Sequence, residues 1–321
     1  MEFAHAGEVL DCLSSERRVF PYFKHRYALI LLALAAGRGR SVSELRRTRL
    51  ASLLRKPVMG TLADRTEISA TDLAGVWPAR FESYVLTLGL WGNPRRRRRY
   101  YQISRRGVNL VLQLNFSMAH DRAYRQLLRP DDDDRHPFVR WSHPVNKGGR
   151  QTLAWVRLDI DLDEGEALIE EVQNDWVRNA LRIHEELKRE RLSYGTCENH
   201  WVMRGTSRRY GDVDRYVETV LDPHRHMWDE AALSAAIEFL VRDVGIREIY
   251  YHTWEGGRAM KDMLRQHPPV SHYENLPRRF CFERVSQAPR FLGNAPGHRF
   301  RRRVHEAAQR YGFWFLSCPA A

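Results

Sequence analysis

Cysteine is scarce in this chain, long apolar runs are absent, and the glycine signatures of common enzymes are missing. Only Cys12, Cys197, Cys281 and Cys318 occur in 321 residues, and no two of them have CxxC spacing. That excludes a disulfide framework and a zinc knuckle and leaves small, buried free thiols. The longest apolar run, Tyr27 to Ala36, is about half of the roughly 20 residues a membrane-spanning helix takes. Glu2, Glu8 and Asp11 stand where a cleavable leader would have a basic stretch and an apolar block, so a cytoplasmic location is expected and no membrane partner. No GxxxxGK[ST], GxSxG or HExxH occurs, which removes the usual support for nucleotide hydrolysis, serine-hydrolase and zinc-protease chemistry.

What is present is globular. Apolar residues make up 43% of the chain and charged residues 29%, enough to build a core. The formal charge is +12, unevenly spread: residues 1–150 hold 27 Lys and Arg against 14 Asp and Glu, residues 151–274 hold 16 against 24, and residues 275–321 hold 9 against 2. Basic ends around an acidic middle suggest that the ends hold a polyanion, nucleic acid foremost, while the middle carries structure or chemistry.

The first third reads as helical: Phe20 to Ala36, then a helix from Ser41, with Glu44 at capping-box spacing, to about Leu54. Pro57 fits the first turn of a third helix, and Ser69 to Asp72 a fourth. Strands follow at Tyr84–Trp91, Tyr100–Ser104 and Val108–Phe116, then a helix from His120 to Leu128 and an irregular stretch from Pro130 to Gly149. In the middle, Val156, Leu158, Ile160 and Leu162 alternate with Arg157, Asp159 and Asp161. A turn at Glu164-Gly165 leads into a strand through Trp176 and a helix from Val177 to Leu192. Asp229 to Val244 is an amphipathic helix stopped by Gly245. A strand at Ile246–Thr253, a helix at Gly257–Gln266, a strand near Arg279–Val285 and a basic helix from Arg299 to Tyr311 complete the pattern. The expectation is an α+β fold with a mostly antiparallel mixed sheet and packed helices, as residues 1–150 (basic, helical, then β-hairpins) and residues 151–321.

Glu171, Gln173 and Asp175 are the first candidates for chemistry. On one strand, a period of two puts them on one face. With a two-residue turn at Glu164-Gly165 that is the face of Val156, Leu158 and Ile160, where carboxylates need a reason to be. A bulge rotating the strand is the structural alternative. His252 and Tyr251 are the candidates for acid–base work. Arg95, Arg96, Arg97, Arg98 and Arg99, with Arg105 and Arg106, would clamp phosphates from a hairpin, or pair with Asp131 to Asp134. Gly256, Gly257 and Arg258 could hold a phosphate or carboxylate at a helix start, though a simple turn explains them equally. His224 and His226, beside Asp229 and Glu230, lack a third ligand at a recognisable spacing, so no metal is expected.

The run Glu170-Glu-Val-Gln-Asn-Asp-Trp176 resembles the E-(I/V)-Q-(S/N)-D-W motif of polyvalent-protein domains of phages and mobile elements. The order strand, helix, strand, helix, strand over residues 150–290 is similar to the latter half of the GNAT acyltransferase fold. The resemblance implies a GNAT-like acyl- or related group transferase, acting on a nucleic acid or something linked to one, with acyl-coenzyme A as donor. The sequence departs from that family at the Q/R-x-x-G-x-G/A loop, because neither Asp175-Trp-Val-Arg-Asn-Ala180 nor His224-Arg-His-Met-Trp-Asp-Glu230 has a glycine, which leaves the cofactor unknown and open to another donor. The alternatives are a nucleic-acid-binding module without catalysis and an interaction component of a phage-defence or mobile-element system.

Overall fold

The alternating segments pair with one another along the whole chain. The computed structural model describes residues 1–2, 5–13, 18–92, 102–130, 137–140, 142–145, 150–194, 201–202, 207–208, 210–261, 263 and 269–319. One sheet contains β1 (Val19–Tyr22), β2 (Glu82–Trp91), β3 (Asn109–Asn115), β4 (Thr152–Asp161), β5 (Glu166–Gln173), β6 (Glu248–His252), β7 (Glu283–Val285) and β8 (Phe313–Ser317), in the order β1-β2-β3-β4-β5-β6-β8-β7. Every pairing is antiparallel except that of β5 with β6. The expected α+β class and mostly antiparallel mixed sheet are thus what the chain adopts. Strands from both sides of residue 150 share this sheet, because β3 pairs with β4 from Leu110↔Leu158 to Asn115↔Thr152.

The helices that bear on the site are α1 (Arg26–Ala36), α2 (Met118–Leu128), α3 (Trp176–Tyr194), α4 (Trp228–Glu238), α5 (Trp254–Met260), α6 (Val270–Arg279), α7 (Arg290–Gly293) and α8 (His298–Tyr311). Among the described residues no helix is long and apolar enough to cross a membrane. Several starts and stops follow local chemistry. Ser69 and Asp72 form both halves of a capping box over Ala70–Ala74. Beyond α4 a wider turn runs to Val244 and stops at Gly245, whose φ of 86° is the left-handed conformation glycine tolerates.

Other expectations were displaced. Phe20 to Tyr22 belongs to edge strand β1, where Pro21 is tolerated, and the helix begins only at Arg26. Ser41 does not cap a long helix: its hydroxyl bonds Ser43 instead, and the helix stops after Leu45. Strand β5 ends at Gln173, so Asp175 lies at the start of α3, outside any strand.

The sheet's two faces differ. One carries Leu110, Leu112, Leu114, Val156, Leu158, Ile160, Ile169, Val172, Ile249 and Tyr251, all buried in one cluster with residues of α1, α3 and α4. On the opposite face an apolar patch forms where Leu168, Tyr250 and Phe313 meet Met260, Phe291, Leu292 and Val304. Between that patch and β2 lie Asn109, Arg157, Asp159, Glu170 and His252, every one of them at most 1% exposed. The alternation in β4 therefore does not mark a wet face, since both of its faces are covered.

Candidate functional site

The site begins with one irregularity. In the β4–β5 ladder Leu158 faces Ile169 but Arg157 faces Glu171, so residue 170 is an extra residue on β5. Such a bulge shifts side-chain parity. The loop holds four residues, 162–165, in place of the expected two, which preserves parity; the extra residue then places Glu171 opposite Arg157, off the apolar face of Val156 and Leu158. Glu170 and Glu171 both turn toward the polar face.

Arg157 grips Glu171 in a fork, with Nε 2.6 Å from Oε1 and Nη2 donating to Oε2 at 2.7 Å. Trp155 Nε1 donates to Glu171 at 3.3 Å and Gln173 Nε2 at 3.2 Å. Burial opposes ionisation of Glu171, but Arg157 and then Lys261 outweigh it and hold the carboxyl below its usual value. The buried fork is worth far more intact than broken, because removing one partner leaves a charge without water.

Glu170 sits at the centre of a second group. Ser104 donates to it twice, from the backbone N–H at 2.8 Å and from Oγ at 2.9 Å. Lys261 Nζ donates to the Glu170 carbonyl at 2.8 Å and lies 3.8 Å from Oε2. His252 Nε2 is 3.2 Å from Glu170 Oε2 and 2.7 Å from Ser104 Oγ. Burial raises the Glu170 carboxyl, but the His252 bond and the charges of Lys261 and Arg157 prevail and hold it at about 2. Burial lowers His252, against the pull of Glu170, and lowers Lys261 against both carboxylates.

These contacts define a tautomer. A serine hydroxyl has one proton. Ser104 gives it to Glu170, so its oxygen accepts from His252 Nε2–H, and the lone pair of a neutral ring resides on Nδ1. That Nδ1 is buried and has no hydrogen-bond partner among the described residues. Helix α5 approaches the ring closely through Gly257, where a Cβ would come within 3.1 Å of His252 Cβ. The group is no serine-hydrolase relay, because the carboxylate and the hydroxyl share one ring nitrogen instead of flanking the ring.

The remaining candidates disperse. Gln173 joins Glu171, but Asp175 is held by the Arg140 N–H at 3.1 Å, by His143 Nδ1 at 2.7 Å and by the Arg178 guanidinium, tying a loop to the start of α3. Tyr251 points to the apolar face and donates to the His272 carbonyl at 2.7 Å; burial, then the neighbouring Tyr273 and Glu171, push its hydroxyl well above its usual value. The Gly256 N–H is taken by Thr253 Oγ1 and the Gly257 N–H by the Thr253 carbonyl, so these amides cap the helix and are not free for an anion. Arg258 stacks over Trp254 at 4.3 Å. Arg105 is not a free phosphate ligand either: it donates to Asp159 at 2.9 Å and Asp161 at 3.0 Å and lies over Phe291. Arg106 is exposed. Arg95, Arg96, Arg97, Arg98 and Arg99 lie outside the described residues, as do Tyr100 and Asp131 to Asp134. His224 is buried against the Tyr84 hydroxyl at 2.9 Å, and among the described residues no group of three His, Cys, Asp or Glu could hold a metal ion.

Ser104 and Arg157 were not singled out from sequence, Glu170 entered only as the first residue of the motif, and Lys261 only as a cation beside the Gly256-Gly257 helix start. Two adjacent glutamates in a strand were the available signal: strict alternation would have sent one into hydrocarbon, so a bulge or a buried partner was required.

No protein-family model, curated protein or solved structure matches the chain.

Proposed function

We propose that the chain is a group transferase on a GNAT-like scaffold, with a nucleic acid or a nucleic-acid-linked molecule as acceptor and His252 as general base. The observation that carries this reading is the buried Nδ1 lone pair of a neutral His252, backed by an ionised Glu170 at the other ring nitrogen. Such a base removes the proton of an attacking amine or hydroxyl at Nδ1, and Glu170 stabilises the imidazolium that results. The scaffold reading is supported by element order: β5, then α3 and α4, then β6 beside β5 as the one parallel pair, then α5. A pyrophosphate seat at the start of α3 is not supported. Asn174 Oδ1 already accepts from the Val177 N–H at 2.9 Å and the Arg178 N–H at 3.4 Å, so the donor is held elsewhere. His252 is closed to solvent in this conformation, so transfer requires an opening step.

A second reading has its own support. Two cations, Arg157 and Lys261, face two carboxylates, Glu170 and Glu171, and all four are paired. A balanced, closed cluster is what a purely structural core under a binding module would contain.

The deciding experiment incubates the purified chain with a panel of activated acyl and phosphoryl donors plus single-stranded oligonucleotide, reading mass gain on the acceptor. Transfer by the wild type, lost at least ~100-fold in a folded His252→Gln variant, supports the base. Transfer should rise with pH on a limb below the ordinary imidazole value of 6.5, because burial lowers His252. Unchanged transfer in H252Q removes His252 as the base, and no transfer by the wild type with any donor favours the binding module.

A further inference from the structure

The C-terminal region carries cations that the buried cluster does not use. From Ser286 to Pro319 there are six arginines and two histidines against one acid, Glu306. Helix α8 lays Val304, Ala307 and Ala308 on Met260, Phe291 and Leu292, which turns its arginines outward. Arg302 pairs with Glu306 at 2.7 Å. Among the described residues no carboxylate pairs with Arg299, Arg301, Arg303 or Arg310. Arg303 lies over the Phe300 ring at 5.4 Å and Arg310 over Tyr311 at 5.3 Å, so ring contacts position both guanidinium groups.

This face is also concave. A groove of about 490 Å³ runs between the segment after β7, α7 and α8, lined by Ser286, Gln287, Gly293, Arg301, His305 and Gln309 among others. No carboxylate lines it. Arg301 Nη1 donates to the Ala295 carbonyl at 3.3 Å, which tethers one cation at the groove. A solvated basic helix needs neither a concavity nor a tethered arginine. The amides, hydroxyl and imidazole around that arginine complement an anion with several acceptor oxygens.

The length of the patch selects the anion. Arg299 to Arg310 spans roughly 16 Å of helix at 1.5 Å per residue, enough for several consecutive phosphates of a strand and far more than one small anion occupies. We propose that the α7–α8 groove seats the phosphodiester backbone of a nucleic acid, with Arg301 and His305 at the groove and Arg299 and Arg303 beside it. The seat stands independently of the transfer reading, although α8 packs on α5, whose Gly257 lies against His252.

The test is fluorescence anisotropy of the full chain with a labelled single-stranded DNA of mixed sequence, over a salt series. R301Q/R303Q is expected to weaken binding roughly tenfold at low salt and to reduce the log–log salt slope by about 1.4, or about 0.7 per lost phosphate contact. The charge-matched pair R182Q/R189Q, exposed on α3, is expected to leave the slope unchanged. Equal losses in both pairs, an unchanged slope in R301Q/R303Q, or no binding by the wild type would overturn the seat. H252Q is expected to bind like the wild type, so a loss of transfer there reports on the base and not on this groove.

Discussion

On β4, Val156, Leu158 and Ile160 are buried among hydrocarbon, while Arg157 and Asp159, one residue away along the strand and no more exposed, are held by charge. The apolar face is non-directional, so its stability follows area and volume. The polar face is directional: Arg157 and Asp159 are tolerated because named partners, Glu171 and Arg105, compensate their charges. Equal burial thus conceals unequal tolerance. Hydrocarbon can be exchanged for hydrocarbon of similar size, whereas a charge cannot be exchanged alone.

The strongest way to break that contrast is to strip one partner from the fork. Arg157→Met leaves Glu171 buried without its cation and is expected to cost about 3–5 kcal/mol in urea unfolding. The double variant R157M/E171L should recover most of that loss, since a well-packed apolar pair often replaces a buried ion pair at little cost. If the double variant is no more stable than the single one, the polar face needs these charges for more than mutual compensation.

On the opposite face, Leu158→Ala is expected to cost roughly 3 kcal/mol through lost transfer energy and a cavity, while Leu158→Met costs under about 1.5 kcal/mol. Thermal unfolding with matched circular dichroism checks both. Tyr251→Phe on the same face removes one bond to the His272 carbonyl and should cost only about 1 kcal/mol. It should leave any transfer activity intact, because the hydroxyl faces away from His252; a large loss of turnover in Y251F would return Tyr251 to acid–base work.

The smallest effect is a pH difference between two glutamates of β5. Burial raises Glu166 from 4.5 to about 7 despite the opposing charge of Arg290, so its contribution is fully present below 4.5 and is lost as pH rises through 7. Glu170, held at about 2, contributes stability present above 4.5 and lost as pH falls toward 2. Glu166→Gln should therefore unfold at a higher temperature than the wild type at about pH 8 and match it at about pH 5. A penalty at both pH values would mean that the Arg290 ion pair outweighs the cost of burying the charge.

Much of the fold was legible in the residues. Period-two alternation located β3 and β4, the Ser69–Asp72 box located a helix start, and Gly245 located the end of the turn beyond α4, because backbone geometry and local hydrogen bonds act within a few residues. The candidate site was legible only in part. Glu171 was picked for an apolar face that it does not occupy and His252 for the pKa of an imidazole; both lie on the buried polar face, whereas Asp175 and Tyr251 fell away from them. Asp175 was lost because β5 stops two residues short of it, and Tyr251 because neighbouring strand residues face opposite sides.

Local sequence chemistry settled the α+β class, the β4–β5 hairpin, the helix cap at Ser69 and the basic ends, all of which depend on spacing within one segment. The bulge at Glu170, the meeting of Ser104 with Glu170, His252 and Lys261, and the concavity beside Arg301 were settled by packing. A bulge is a property of two paired strands, and a tautomer or a groove is a property of groups far apart in the chain, so neither has a counterpart in any single stretch of residues.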